Sequence, residues 1–250
     1  MIVHPSLGAW RNRTAHKAAL QALHAAEPLV GSLDPSRMQV CPQNPGQLGP
    51  SEAHELRQAF PQTRFRLHAN AHAAGWSSQA DASTQHLFAP YFEALGQLSS
   101  WLDGEAYTWH AGLRQHATLT EVLSRTLDLE QAWGIPVGIE GLYPTADARY
   151  LLSTWAEYAQ LLESGVRYAL DLSHLNIVRA AEGLESPASL VRELLSSPQC
   201  LEIHLSANDG THDMHAQVGT EPWWWDDLQR YATPAAHIFS EGGQIVPRIL

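Results

Sequence analysis

Short runs rich in β-branched and aromatic residues alternate along this chain with longer stretches of helical periodicity, and no other feature constrains its fold as much. Six runs are well marked: Arg64–His68, Ala106–His110, Pro136–Glu140, Arg167–Asp171, Leu201–His204 and Ala236–Ser240. Ile2–His4 and Met38–Cys41 complete a series of eight expected strands. Between them Thr14–Ala26, Ser51–Phe60, Gln85–Trp101, Thr118–Trp133, Ser153–Glu163, Ser186–Leu195 and Trp223–Tyr231 carry apolar residues at helical spacing. Ser51, Thr118 with Glu121, and Ser186 with Pro187 look like helix starts, and Gly134 and Gly165 like helix stops. Alternation of this kind belongs to a parallel α/β sheet. Eight such units in 250 residues predict a single-domain α/β fold, a closed (β/α)8 TIM barrel over residues 1–250. The rival, an open doubly wound sheet, lacks the Gly-rich phosphate loop expected after its first strand.

Composition narrows the partners. The formal charge of −11 speaks against a broad nucleic-acid-binding surface, which needs clustered Lys and Arg. No apolar stretch approaches the roughly 18 residues needed to cross a bilayer, so no membrane partner is expected. The start, Met-Ile-Val-His-Pro-Ser, lacks the features of a signal peptide. Cys41 and Cys200 provide no disulfide framework, which makes a reducing cytoplasm the expected compartment. Histidine is the anomaly: 14 residues, nearly as many as the 15 Lys and Arg together.

In a barrel the chemistry sits at the C-terminal ends of the strands. Those ends carry His4, His68, His110, Glu140, Asp171 and His204, with Glu241 just beyond the last strand. Two short motifs add donors, Asp171-Leu-Ser-His174 and Asp213-Met-His215. A single His at a strand end is more often a hydrogen-bonded structural residue than a ligand. Several carboxylates converging on one mouth are different, because burying them unpaired would cost several kcal/mol each. Bridging carboxylates with terminal imidazoles suit two or three divalent ions held close together. The residues expected to hold metal are His68, His110, Glu140, Asp171, His174, His204, Asp213, His215 and Glu241. The helical histidines His16, His24, His54, His86 and His116 are read as surface residues, and His237 as a satisfied core residue. His72 and His212 stand on mouth loops as candidates for substrate contact. Trp223–Trp225 is expected mainly to anchor the last helix.

This ordered set resembles the nine ligands of endonuclease IV, a TIM-barrel family with a trinuclear zinc site. That resemblance implies that Glu140 bridges two metals. Asp171-Leu-Ser-His174-Leu-Asn-Ile and His204-Leu-Ser-Ala-Asn-Asp also resemble segments of the xylose isomerase-like superfamily, which includes sugar epimerases. There Glu140, Asp171, His204 and Glu241 would hold one metal, with the two glutamates relaying a proton. A third likeness is to the multinuclear non-haem iron-dependent oxidative enzymes, carried by Phe65–Gly75, Tyr91–His110, Leu151–Asp171, Glu202-Ile-His204-Leu and Glu241–Pro247. It implies two or three irons that activate dioxygen on a peptide or small-molecule substrate, with a partner protein to deliver it. His72, His212 or Tyr143 would then handle protons.

The expectation is therefore a metalloenzyme using two or three divalent ions, iron first and zinc or manganese next. Iron-dependent oxidation leads narrowly. A sugar or sugar-phosphate isomerase or epimerase with Glu140 and Glu241 as acid and base follows, then a zinc phosphodiesterase and a non-catalytic metal-binding barrel.

Overall fold

The computed structural model describes residues 1–73, 75–182 and 188–244. Eight parallel strands form one sheet: β1 (Val3–Pro5), β4 (Arg37–Val40), β5 (Arg64–His68), β6 (Tyr107–His110), β7 (Val137–Glu140), β8 (Tyr168–Asp171), β9 (Cys200–Leu205) and β10 (His237–Ser240). Each pairs with its neighbour in chain order, and β10 returns to β1. A parallel bridge between Ser6 and Gln39 closes the circle. This is the predicted TIM barrel.

Around it stand α1 (Ala15–Ala22), α2 (Pro50–Ala59), α3 (Ala89–Leu102), α4 (Leu119–Trp133), α5 (Trp155–Ser164), α6 (Leu172–Glu182), α7 (Ala188–Ser196) and α8 (Trp225–Tyr231). Thr118 and Glu121 form the expected capping box, and Gly134 and Gly165 adopt the left-handed geometry that ends α4 and α5. Ser186 and Pro187 lie outside the described residues.

Several boundaries differ from expectation for physical reasons. The first helix stops at Ala22, because residues 26–27 (β2) pair with residues 31–32 (β3) in a small antiparallel hairpin. The third helix begins only at Ala89: Pro90 sits in its first turn, and a 3₁₀ turn covers Gln85–Leu87. The second starts one residue early, at Pro50, where the Gly49 amide donates to Glu52 Oε2 at 3.0 Å. The stretch after Asp171, expected as a loop, is α6. Asp171 Oδ1 accepts from the amides of Ser173 and His174, so this strand-end residue also caps the helix.

Strand alternation divides two environments. Phe65, Leu67, Tyr107, Trp109, Ile139, Tyr168, Leu170 and Ile203 are fully buried in the hydrophobic core. The alternate positions are Arg66, His68, Thr108, His110, Gly138, Glu140, Ala169, Asp171, Glu202 and His204. Arg66 on β5 reaches Glu202 on β9 at 3.0 Å, and these strands are four apart in the sheet, so the pair meets inside the barrel. A TIM barrel is more often filled with branched apolar residues. Here its axis is polar.

The strand carrying Glu140 ends against a tight contact, since a Cβ at Gly141 would overlap the phenol of Tyr158, whose hydroxyl donates to Leu142 O at 3.2 Å. Gly141→Ala should therefore cost about 1–3 kcal/mol by overpacking, read as a lower urea midpoint with an unchanged slope.

Candidate metal centre

At the C-terminal mouth the structure brings all nine expected donors together. Three groups each hold potential ligand atoms within 4.8 Å of one another: His68, Glu140 and His204; Glu140, Asp171 and His174; Asp171, His204 and Glu241. The remaining three donors extend this set. His110 Nε2 stands 3.9 Å from Glu140 Oε1, and Asp213 Oδ2 lies 3.6 Å from His174 Nε2 and 3.0 Å from His215 Nε2. His215 Nδ1 in turn faces Glu241 Oε2 at 3.6 Å. Glu140 is the hub, with His68, His110, His174 and His204 all within 4 Å of its oxygens.

The site fits divalent cations. Glu140 Oε2, Asp171 Oδ2, Asp213 Oδ1 and His204 Nδ1 are buried with no hydrogen-bond partner. His204 Nδ1 and Glu140 Oε2 face each other at 3.2 Å but are not aligned as donor and acceptor. Orphaned oxygens and an orphaned imidazole nitrogen beside one another are what a bound cation would satisfy.

Charge in the site is strongly coupled. Burial is the largest influence on the Glu140 carboxyl and opposes its ionisation, yet His204 and His68 outweigh it and hold the group well below the usual range. Burial pushes His68 down to about 3. On His174 burial also acts downward, but Asp171, Asp213 and Glu140 outweigh it and bring the imidazole up to about 10. His215 is lifted to about 9 against burial, by Asp213 and Glu241. Burial lifts the Glu241 carboxyl to about 7, with His204 and His215 pulling the other way.

The centre opens into a cavity of about 260 Å³. Besides eight of the donors, all but His204, it is lined by Gln43, Asp81, Gly112, Leu142, Tyr143 and Tyr150, and by neither Lys nor Arg among the described residues. Tyr143 packs against His174 at 4.9 Å between ring centroids and against Tyr150 at 5.7 Å.

Other expected residues lie elsewhere. His212 is exposed and turns toward Asp209 and Thr211. His72 is half-buried, packs at a tilt against Trp76 with 4.4 Å between ring centroids, and does not line the cavity. His4 bonds Asp34 O at 2.9 Å and packs against His237 and Phe239. Trp224 and Trp225 are buried in the core, and Trp223 donates to Asn176 Oδ1 at 2.9 Å, tying α8 to α6. His24, His54, His86 and His116 are exposed, and His16 is half-buried against Phe60. Cys41 and Cys200 are buried free thiols.

Sequence reading missed the layer beneath the donors. Glu202 Oε2 faces His204 Nε2 at 3.1 Å and accepts from Thr108 Oγ1 at 3.0 Å and Gln39 Nε2 at 2.9 Å. The signal was available, since each member of the strand alternation two residues before a donor lies on the same face. A charged residue at that position, as Glu202 and Arg66 are, marks a filled barrel interior.

No family model matches the chain, and no curated protein matches it. Solved structures do. A D-tagatose 3-epimerase-like protein superposes with a TM-score of 0.67 at 16% identity, covering 98% of this chain and 92% of that one. An AP endonuclease, family 2, from Brucella melitensis gives 0.65 at 10% identity, covering 98% and 94%. A D-allulose 3-epimerase from Methylomonas sp. in complex with D-allulose gives 0.66 at 13%, covering 97% and 84%. At 10–16% identity these likenesses establish the fold, a TIM barrel. Among the described residues no helix is long and apolar enough to cross a membrane.

Two outcomes are expected. His174 and His215, raised to about 10 and about 9, hold protons at neutral pH in the cation-free protein, and a cation must displace them. Cation affinity should thus rise with pH up to about 10 and fall in acid, with protons released on binding. Calorimetric zinc titrations in buffers of different ionisation enthalpy would show this. Glu140→Gln should deplete bound metal, and an unchanged metal content by elemental analysis would remove Glu140 from the ligand set.

Proposed function

We propose that this protein is a divalent-metal isomerase or epimerase acting on a small, neutral, sugar-like hydroxycarbonyl compound. One observation carries the reading. Glu140 and Glu241 flank the same imidazole, His204, at 3.2 and 3.6 Å, while their surroundings drive their carboxyls in opposite directions. Paired carboxylates with separated proton affinities are the equipment of acid–base relay. The absence of Lys and Arg from the described cavity lining suits a neutral substrate rather than a phosphorylated one. Solved structures of similar shape include proteins described as D-tagatose 3-epimerase-like, D-allulose 3-epimerase and L-ribulose 3-epimerase.

Glu140, Asp171, His204 and Glu241 would hold the principal cation. A divalent ion held by these residues would supply Lewis acidity toward a carbonyl oxygen. One glutamate takes the proton from the carbon beside the carbonyl, and the other returns a proton to the opposite face. Tyr143 and Tyr150 offer aromatic surface and hydroxyls to orient the substrate, and Gln43 and Asp81 offer polar contacts.

A second reading is favoured by the five donors beyond that quartet. His68, His110, His174, Asp213 and His215 exceed what one metal needs and would suit a centre of two or three cations, as in iron-dependent oxidation of a peptide or small molecule.

Proton exchange separates the two. The metal-loaded protein in D₂O should replace the carbon-bound hydrogen of a neutral ketose with deuterium, followed by NMR, and Glu241→Gln should slow this by about 100-fold or more. No exchange with any neutral ketose, together with dioxygen uptake by iron-loaded protein, would overturn the isomerase reading in favour of oxidation. Nicking of abasic-site DNA would instead establish a phosphodiesterase.

A further inference from the structure

Beneath the candidate ligands a second set of side chains is built with unusual economy around one carboxylate. Glu202 is wholly buried inside the barrel. Its Oε1 accepts from Arg66 Nη1 at 3.0 Å, and its Oε2 accepts from Gln39 Nε2 at 2.9 Å and Thr108 Oγ1 at 3.0 Å. His204 Nε2 stands 3.1 Å from the same Oε2. Arg66 is always protonated and Gln39 presents its amide nitrogen, so the neighbours of Glu202 supply hydrogens and it supplies lone pairs.

This arrangement assigns hydrogens to two imidazoles. His204 Nε2 also stands 3.0 Å from Gln39 Nε2, which already donates to Glu202 Oε2. A hydrogen on the ring's Nε2 goes to that same oxygen, and the neutral ring then turns its Nδ1 lone pair toward Glu140 and Glu241. Thr108 spends its hydroxyl hydrogen on Glu202, so its oxygen accepts from His68 Nδ1 at 3.0 Å. His68 is then left with its Nε2 lone pair facing Glu140 at 3.5 Å. The two rings present opposite nitrogens to the same centre, and one carboxylate sets both.

We propose that Glu202, locked by Arg66 and relayed through Thr108, is a positioning residue that fixes which nitrogen of His204 and of His68 is offered to the cations. The inference rests on the reading of the mouth as a metal centre. Glu202 touches no substrate; it acts through the two imidazoles. Outer partners of ligating histidines set ring orientation and basicity, and their loss typically weakens metal binding about 10–100-fold.

Thr108 offers the cleanest test, because Val has nearly its shape and lacks only the hydroxyl, whereas Ser keeps it. Zinc affinity would be measured by competition with a chromophoric chelator in the full-length protein. Thr108→Val should weaken zinc binding by about 10–100-fold and Thr108→Ser should restore it to near the wild-type value. Glu202→Gln should weaken it at least as far, since an amide cannot accept from both the Arg66 side and the Thr108–His204 side. Long-range ¹⁵N–¹H spectra of the zinc-loaded wild type should show metal on Nδ1 of His204 and on Nε2 of His68. Thr108→Val should change the His68 signals and leave those of His204. Wild-type affinity and unaltered imidazole signals in folded Thr108→Val would overturn the proposal, even where Glu202→Gln fails to fold. A wild-type chain that binds no zinc, manganese or iron would instead sink the metal-centre reading and this inference with it.

Discussion

The Arg66–Glu202 ion pair crosses the inside of the barrel from β5 to β9 at 3.0 Å, with both side chains almost completely removed from water. Its attraction is offset by the cost of taking two charges out of solvent, so stability alone is a poor reason for it. Its consequence is specificity. A buried guanidinium keeps the carboxylate ionised: Glu202 is held down to about 2, against the opposing effect of burial, by His204 and Arg66. An ionised carboxylate must be surrounded by donors, and here they come from β4, β5, β6 and β9 at once. The floor therefore registers four strands against one another and orients what stands above them.

What stands above is a concentration of charge that no apolar barrel could hold. Glu140, Asp171, Asp213 and Glu241 converge with five histidines in a space largely closed to solvent. Without a cation, protons fill the gap, and His174, His204 and His215 are all pushed upward by their carboxylate neighbours. Protons neutralise the carboxylates only in part, because Glu140 Oε2, Asp171 Oδ2 and Asp213 Oδ1 still lack partners. Divalent ions would answer both needs, displacing protons from the imidazoles and giving the unpartnered oxygens a counter-charge.

The barrel scaffold is shared with proteins of different chemistry. An epimerase-like protein and an AP endonuclease superpose almost equally well, at 16% and 10% identity. Shape at that level reports the fold, and reaction class has to be argued from the site. Here the opposed glutamates and a cavity wall of Tyr143, Tyr150, Gln43 and Asp81 are the features on which the proposed reaction rests.

Strand order, the closed barrel and the meeting of nine donors at one mouth were all legible in the chain. They follow from local rules: alternation of strand and helix patterns sets the units, and barrel topology places every strand end on one rim. The sequence alone also showed where α4 and α5 stop, since a left-handed residue is a local matter. Contacts between distant strands were beyond such rules. Nothing local distinguishes Glu202 as the partner of Arg66, 136 residues away, or shows that Thr108 carries its influence to His68. The same holds for His72 and His212, whose loops pointed to the mouth while their side chains settled on Trp76 and Asp209. Helix α6 was hidden for a related reason: Asp171 ends a strand and caps a helix with the same carboxylate, and only the folded chain shows both roles. Residue type and period determined which side chains could reach the mouth. Long-range packing decided which way each one faces and what holds it there.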